Sequence, residues 1–120
     1  MPTAIESFFE QLNEYHYFPR LQDISGSSRC DIEGAGSWLI QVKQGYVNIT
    51  KDGKNTPVDC IITCSREDFV RMIQGQQNPL TAYLQGRIIV TGEIGLAQIC
   101  MRLLRKYYNP QARQRGGEKQ

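Results

Sequence analysis

Residues 58–104, VDCIITCSREDFVRMIQGQQNPLTAYLQGRIIVTGEIGLAQICMRLL, constrain this chain more than any other stretch. Glycines and helix caps divide it into strand, helix, turn, helix, strand and helix, and the large side chains due to face inward are almost all apolar. A strand over 58–64 sets Val58, Cys60, Ile62 and Cys64 on one face. Ser65 caps a helix that presents Phe69, Met72 and Ile73 and stops at Gly75. Asn78-Pro79 opens the next helix, Asn as the cap and Pro at the first helical position; Leu80, Tyr83 and Leu84 are its apolar set and Gly86 its end. A strand over 87–91 turns Ile88 and Val90 inward. A final helix, Ile94–Tyr108, about 22 Å long, carries the stripe Leu96, Ile99, Cys100, Leu103, Leu104 and Tyr107, and Asn109-Pro110 ends it. This is the plan of a container, with no catalytic group in it.

Upstream, Thr3-Ala-Ile-Glu6 has the form of a capping box, and Ile5, Phe8, Phe9 and Leu12 follow at the spacing of one helix face. Residues 15–28 are aromatic at first, broken by Pro19, then rich in Gly and Ser; they predict an irregular connection with a short helical turn. Three short strands come next. Residues 29–33 place Cys30 and Ile32 together, 37–43 set Trp38, Ile40 and Val42 against Ser37, Gln41 and Lys43, and 46–50 turn Val47 and Ile49 inward; Leu39 is the apolar exception. Lys43-Gln44-Gly45 suits a hairpin, and Lys51-Asp52-Gly53-Lys54 is a second turn signal. One apolar and one wet face predict a mostly antiparallel five-stranded sheet with helices over one face, in a single α+β domain over residues 1–108. With 40% hydrophobic residues in 120, there is enough apolar side chain for one core. Residues 109–120 read as a basic, disordered tail.

Charge is unevenly placed. Arg102, Arg105, Lys106, Arg113, Arg115 and Lys119 face one acid, Glu118, whereas the preceding residues hold eight basic and eleven acidic side chains. A basic end attracts anionic membranes by about 1 kcal/mol per residue near the surface, and it equally keeps a tail soluble. Basic residues without interleaved aromatic platforms argue against nucleic acid. Cys30, Cys60, Cys64 and Cys100 lack metal-ligand or disulfide-framework spacing. Cys60 and Cys64 share a strand face about 13 Å apart, so all four are expected as reduced, small apolar residues. Glu67-Asp68 suit a helix start, and His16, the single histidine, falls in the irregular connection. No nucleophile elbow, phosphate loop or dinucleotide fingerprint is present. Neither a membrane span nor a secretory leader is expected, which predicts a cytoplasmic, non-catalytic domain without cofactor or metal.

The ordered set Gly75-x-x-Asn78-Pro79-x-x-Ala82-Tyr83-x-x-Gly86-Arg-Ile-x-x-Thr91-Gly92-x-x-Gly95-Leu96-Ala97, with Gly36-Ser-Trp38 and the strand Val58-Asp-Cys60-Ile-Ile-Thr63, resembles the sterol carrier protein family over nearly the whole chain. The resemblance implies a hydrophobic tunnel between sheet and helices that holds a fatty acyl chain, acyl-CoA, phospholipid or sterol, with the last helix as its movable wall. It also implies a lining of Phe8, Leu12, Trp38, Ile40, Ile62, Phe69, Met72, Ile73, Leu84, Val90, Leu96, Ile99, Cys100 and Leu103, with Met72 and Met101 adapting the walls. Two departures stand out. Gly117-Glu118-Lys119-Gln120 is not the Ser-Lys-Leu-like peroxisomal address of eukaryotic members. Met101 and Leu104 stand where some relatives place glutamines, which favours an apolar tail over a polar ligand end. Function is therefore expected to be lipid binding and transfer, with transient contact between the basic end and an anionic membrane. The alternatives are a module that presents a hydrophobic intermediate, such as a polyprenyl quinone precursor, to a partner enzyme, and a homodimer that buries the apolar groove.

Overall fold

In a computed structural model that describes residues 3–51 and 54–108, with side chains as far as Arg102, the chain runs α1 (Ala4–Tyr15), a 3-10 turn (Pro19–Leu21), β1 (Ser25–Glu33), β2 (Gly36–Lys43), β3 (Tyr46–Lys51), β4 (Cys60–Ser65), α2 (Arg66–Ile73), α3 (Pro79–Leu84), β5 (Ile89–Gly92) and α4 (Ile94–Tyr108). The expected side chains Leu103, Leu104, Arg105, Lys106 and Tyr107, the turn residues Asp52 and Gly53, and the tail 109–120 lie outside the described residues.

The five strands form one sheet in the order β3-β2-β1-β4-β5. Three neighbouring pairs are antiparallel, and the central pair β1·β4 is parallel, with Ser28 opposite Cys60 and Ile32 opposite Cys64. A parallel pair needs a crossover. Here the return from β3 brings residue 54 onto the outer face of β1, where Arg29 donates to the Lys54 carbonyl at 3.2 Å. β1 is longer than the alternation predicts, because Ser25, Gly26, Ser27 and Ser28 carry no large apolar side chain to reveal a strand, yet all four pair with β2. β4 begins at Cys60, not at residue 58, and β5 at Ile89, not at 87.

Helix starts follow the sequence. Thr3 accepts from the Glu6 N–H at 3.1 Å while Glu6 accepts from the Thr3 N–H at 2.9 Å, and Ser65 and Asn78 cap α2 and α3. His16 closes α1 in a left-handed conformation (φ 46°) and donates its N–H to the Leu12 carbonyl. In α3 the expected apolar set holds for Tyr83, which packs half-buried against the core, and fails for its two leucines. Pro79 and Ala82 are buried, whereas Leu80 and Leu84 point outward at 48% and 74% exposure. Six residues make under two helical turns, too few for periodicity to choose the buried side.

The core sits between the inner sheet face and α1, α2 and α4. Phe9 of α1 stacks on Trp38 of β2 at 4.9 Å between ring centroids and on Phe69 of α2 at 5.6 Å. Among the described residues no helix is long and apolar enough to cross a membrane.

Candidate functional site

Strand alternation puts Gly26, Ser28, Cys30 and Ile32 of β1, Trp38, Ile40 and Val42 of β2, and Cys60, Ile62 and Cys64 of β4 on the inner face. This floor carries no charge. Its roof has two parts of different character. Over β2 and β3 lies an aromatic region built by Phe8 and Phe9 of α1 and Phe69 of α2, with Phe8 edge-on to both neighbours at 5.3 and 5.8 Å. Over β1 and β4 lies α4, with Leu96, Ala97, Cys100 and Met101 buried; Leu96 lies against Gly26 and Cys100 against Ser28. At Gly26 a Cβ would stand 2.9 Å from Leu96 Cδ2, so glycine is what lets α4 settle onto β1.

Of the residues that the resemblance singles out, Phe8, Leu12, Trp38, Ile40, Ile62, Phe69, Met72, Leu96 and Cys100 are buried in this interior. Ile73, Val90 and Ile99 are half-buried against it. Leu84 lies outside it for the reason given above, and Leu103 lies outside the described side chains. Trp38 is also held from the rim, where the Lys51 ammonium sits 5.4 Å from its ring centroid.

The tunnel implied by the resemblance is not shown among the described residues. Two surface depressions, of about 670 and 450 Å³, are lined largely by polar residues such as Glu33, Arg66 and Arg71 or Asp31, Ser37 and Lys51. Both lie at the rim around Gly34, and neither lining includes a residue of α1 or α4.

The sequence places Cys60 and Cys64 on one strand face; the fold adds Cys30 from β1 and Cys100 from α4. All four thiols are free and buried. Burial above all, then the neighbouring thiols of Cys64 and Cys100, pushes the Cys30 thiol well up. Burial likewise pushes Cys64 and Cys100 up to about 12. Low-dielectric surroundings keep a thiol protonated and inert. Among the described residues no group of three or more His, Cys, Asp or Glu is arranged to hold a metal ion. The one polar side chain on the floor is Ser28, whose hydroxyl lies 3.1 Å from Cys100 Sγ. Sequence reading passed over it because the strand around it was not recognised.

The interior has counterparts elsewhere. The model of the SCP-2 sterol transfer family matches residues 5–105. Human sterol carrier protein 2 is 34% identical over 61 residues, which are 51% of this chain and 11% of that much longer protein. The solution structure of sterol carrier protein domain 2 of Helicoverpa armigera superimposes with a TM-score of 0.63 at 27% identity, covering 87% of each chain. Palmitated SCP2L2 from Aedes aegypti shares the fold with a TM-score of 0.70 at 18% identity, covering 89% of this chain and 99% of that one. With the match running from α1 into α4, through every strand of the sheet, the chain belongs to the SCP-2 sterol transfer family.

Proposed function

We propose that this chain binds a single lipid, without chemical change, between the inner sheet face and α1, α2 and α4, and carries it between membranes. The observation that carries this reading is the uncharged inner face, roofed by helices, in a member of a sterol transfer family. The palmitated Aedes aegypti structure, which has the same fold, supports an acyl chain as one occupant. Entry takes place by displacement of α4. Where it crosses the sheet, that helix rests on the small residues Gly26 and Ser28, and its sides pack against α2 and α3. Burying about ten methylenes offers about 8 kcal/mol before ordering costs, an affinity near micromolar that allows both loading and release.

Native mass spectrometry of freshly purified protein, followed by lipid extraction, tests this. The expected result is a recurring bound mass that extracts as an acyl, prenyl or sterol lipid. A clean unliganded mass, with no uptake of a fluorescent fatty acid, overturns the reading. Delivery at an anionic bilayer through the basic residues from Arg102 onward is part of the proposal, and loss of vesicle binding as salt rises is its expected signature.

A second reading, a module that docks onto another protein, is favoured by one feature. Leu80, Leu84, Ile89 and Ile94, all on α3, edge strand β5 or the start of α4, are 48%, 74%, 60% and 50% exposed. A concentration-dependent dimer that takes up no lipid would favour it over the carrier.

A further inference from the structure

Among the described residues two polar side chains are buried, Ser28 and Ser37. Ser37 spends its one donor on a strong partner, the Asp31 carboxylate at 2.7 Å, on the outer side of the sheet. Ser28 does not. It stands on the inner row of the central strand β1, between Ile40 and Cys60 in register, and its hydroxyl meets two sulfurs, that of Cys100 on α4 at 3.1 Å and that of Cys60 beside it on β4. A hydroxyl has one donor and two acceptor sites, and a thiol is weak in both roles, so most of the hydrogen-bonding capacity of Ser28 is held in reserve under the helix.

Resting on the carrier reading above, we propose that Ser28 is the polar contact for the head of the bound lipid, and that it selects an uncharged oxygen head, hydroxyl or carbonyl, over an ionised carboxylate. When α4 lifts, Cys100 leaves Ser28, and a lipid oxygen replaces the sulfur with a stronger partner while the tail takes the apolar floor. The surroundings disfavour an anion. The described neighbours of Ser28, namely Ile40, Cys60 and Cys100, carry no positive charge, so an ionised head there would lack a counter-charge. The acids nearby add to this. Asp59 accepts from the Ser27 N–H at 2.9 Å and its Oδ2 lies 3.2 Å from where a Cβ of Gly26 would stand. After burial, Asp59 and Glu93 are the groups that push the Cys60 thiol up, while Ser28 itself opposes them.

The test uses the full chain loaded with diphenylhexatriene, displaced at pH 8 by dodecanol, dodecanoate or dodecane. Wild type is expected to bind dodecanol more tightly than dodecanoate. Ser28→Ala should weaken dodecanol about 5- to 10-fold and leave dodecane unchanged. Ser28→Cys, which keeps the side chain's shape, should show the same selective loss, and thermal melting of both variants checks that they are folded. Equal loss for dodecanol and dodecane would make Ser28 a packing residue and overturn the assignment, as would unchanged dodecanol binding or a wild-type preference for dodecanoate. If wild type takes up neither diphenylhexatriene nor any of the three, the carrier reading itself falls, and the assignment with it.

Discussion

Glu6 answers two donors at once: it accepts from the Thr3 N–H and, at 3.1 Å, from the Lys51 ammonium. The Thr3 N–H first, then Lys51, holds its carboxyl below the ordinary value. A depressed folded pKa contributes stability that is present above the unfolded carboxyl pKa of about 4.3 and is lost as pH falls through the folded value. Glu6→Gln is therefore expected to lower the urea midpoint at pH 7, with a gap to wild type that narrows below about pH 4. A gap constant with pH would show that the charge of Glu6 is idle. Two glycines make a second contrast. Gly92 has φ +96°, and a Cβ there would stand 2.4 Å from the Asp59 carbonyl oxygen, whereas Gly86 at φ +80° has open space around it. Ala at position 86 should cost about 1 kcal/mol of backbone strain, and Ala at 92 about 3 kcal/mol or more, because backbone atoms must also move. Chemical denaturation of the two variants checks the order. The sequence marks both positions as glycine without ranking them, since the close approach at Gly92 comes from Asp59, 33 residues earlier and just ahead of β4. Gly95, grouped with Gly92 by the motif, has nothing within 4 Å of its Cβ position, so close approach does not explain it.

Elements differ in how firmly they are held. α1 covers the edge of β3: the Asn13 amide exchanges two hydrogen bonds of 2.7 Å with the Ile49 backbone, and the Val47 N–H donates to the His16 carbonyl at 2.8 Å. That blunts an edge strand, and α1 also contributes two rings to the aromatic region. α4 is tied to the floor beneath it more weakly: among the described side chains its hydrogen bond there is the one between the Ser28 hydroxyl and the Cys100 sulfur at 3.1 Å, and it brings no ring to the aromatic region. Local opening of α4 ahead of global unfolding follows from this difference. Cys100 on its underside should accordingly react with N-ethylmaleimide faster than Cys30 in the sheet, and bound lipid should slow it. Peptide mass mapping reads this directly. Equal rates for the two thiols would mean that α4 leaves only when the whole domain unfolds. The elements themselves were largely legible from caps and periodicity: Thr3, Ser65 and Asn78 start helices where expected. The start of β1 and the outward facing of Leu80 and Leu84 on α3 were not. Ser25-Gly26-Ser27-Ser28 carries no hydrophobic pattern because it lies under a close-fitting helix, and α3 is too short to have one.

At the scale of the whole molecule, folding gathers four thiols into one dry interior. In the unfolded chain a cysteine ionises near pH 8.5, whereas burial holds Cys64 and Cys100 at about 12. The native state keeps protons that the unfolded state releases. Stability is thus full below about pH 8.5 and falls as pH rises toward 12. The urea midpoint should decline between pH 8 and 10, and Cys64→Ala should make the decline shallower while lowering the midpoint at pH 7 through lost packing. An unchanged slope in that variant would assign the alkaline loss to other groups. The amino-acid sequence by itself determined the α+β class, the helix starts, the inner rows of four strands and the absence of charge from the floor. These follow from local rules, caps and two periodicities, that act over a few residues. Only the tertiary structure decided that β1 and β4 run parallel at the centre, that Cys30 and Cys100 join Cys60 and Cys64, and that Ser28 lies beneath α4. Each of these joins residues tens of positions apart, and their meeting depends on how the chain returns across the sheet, which no local pattern encodes.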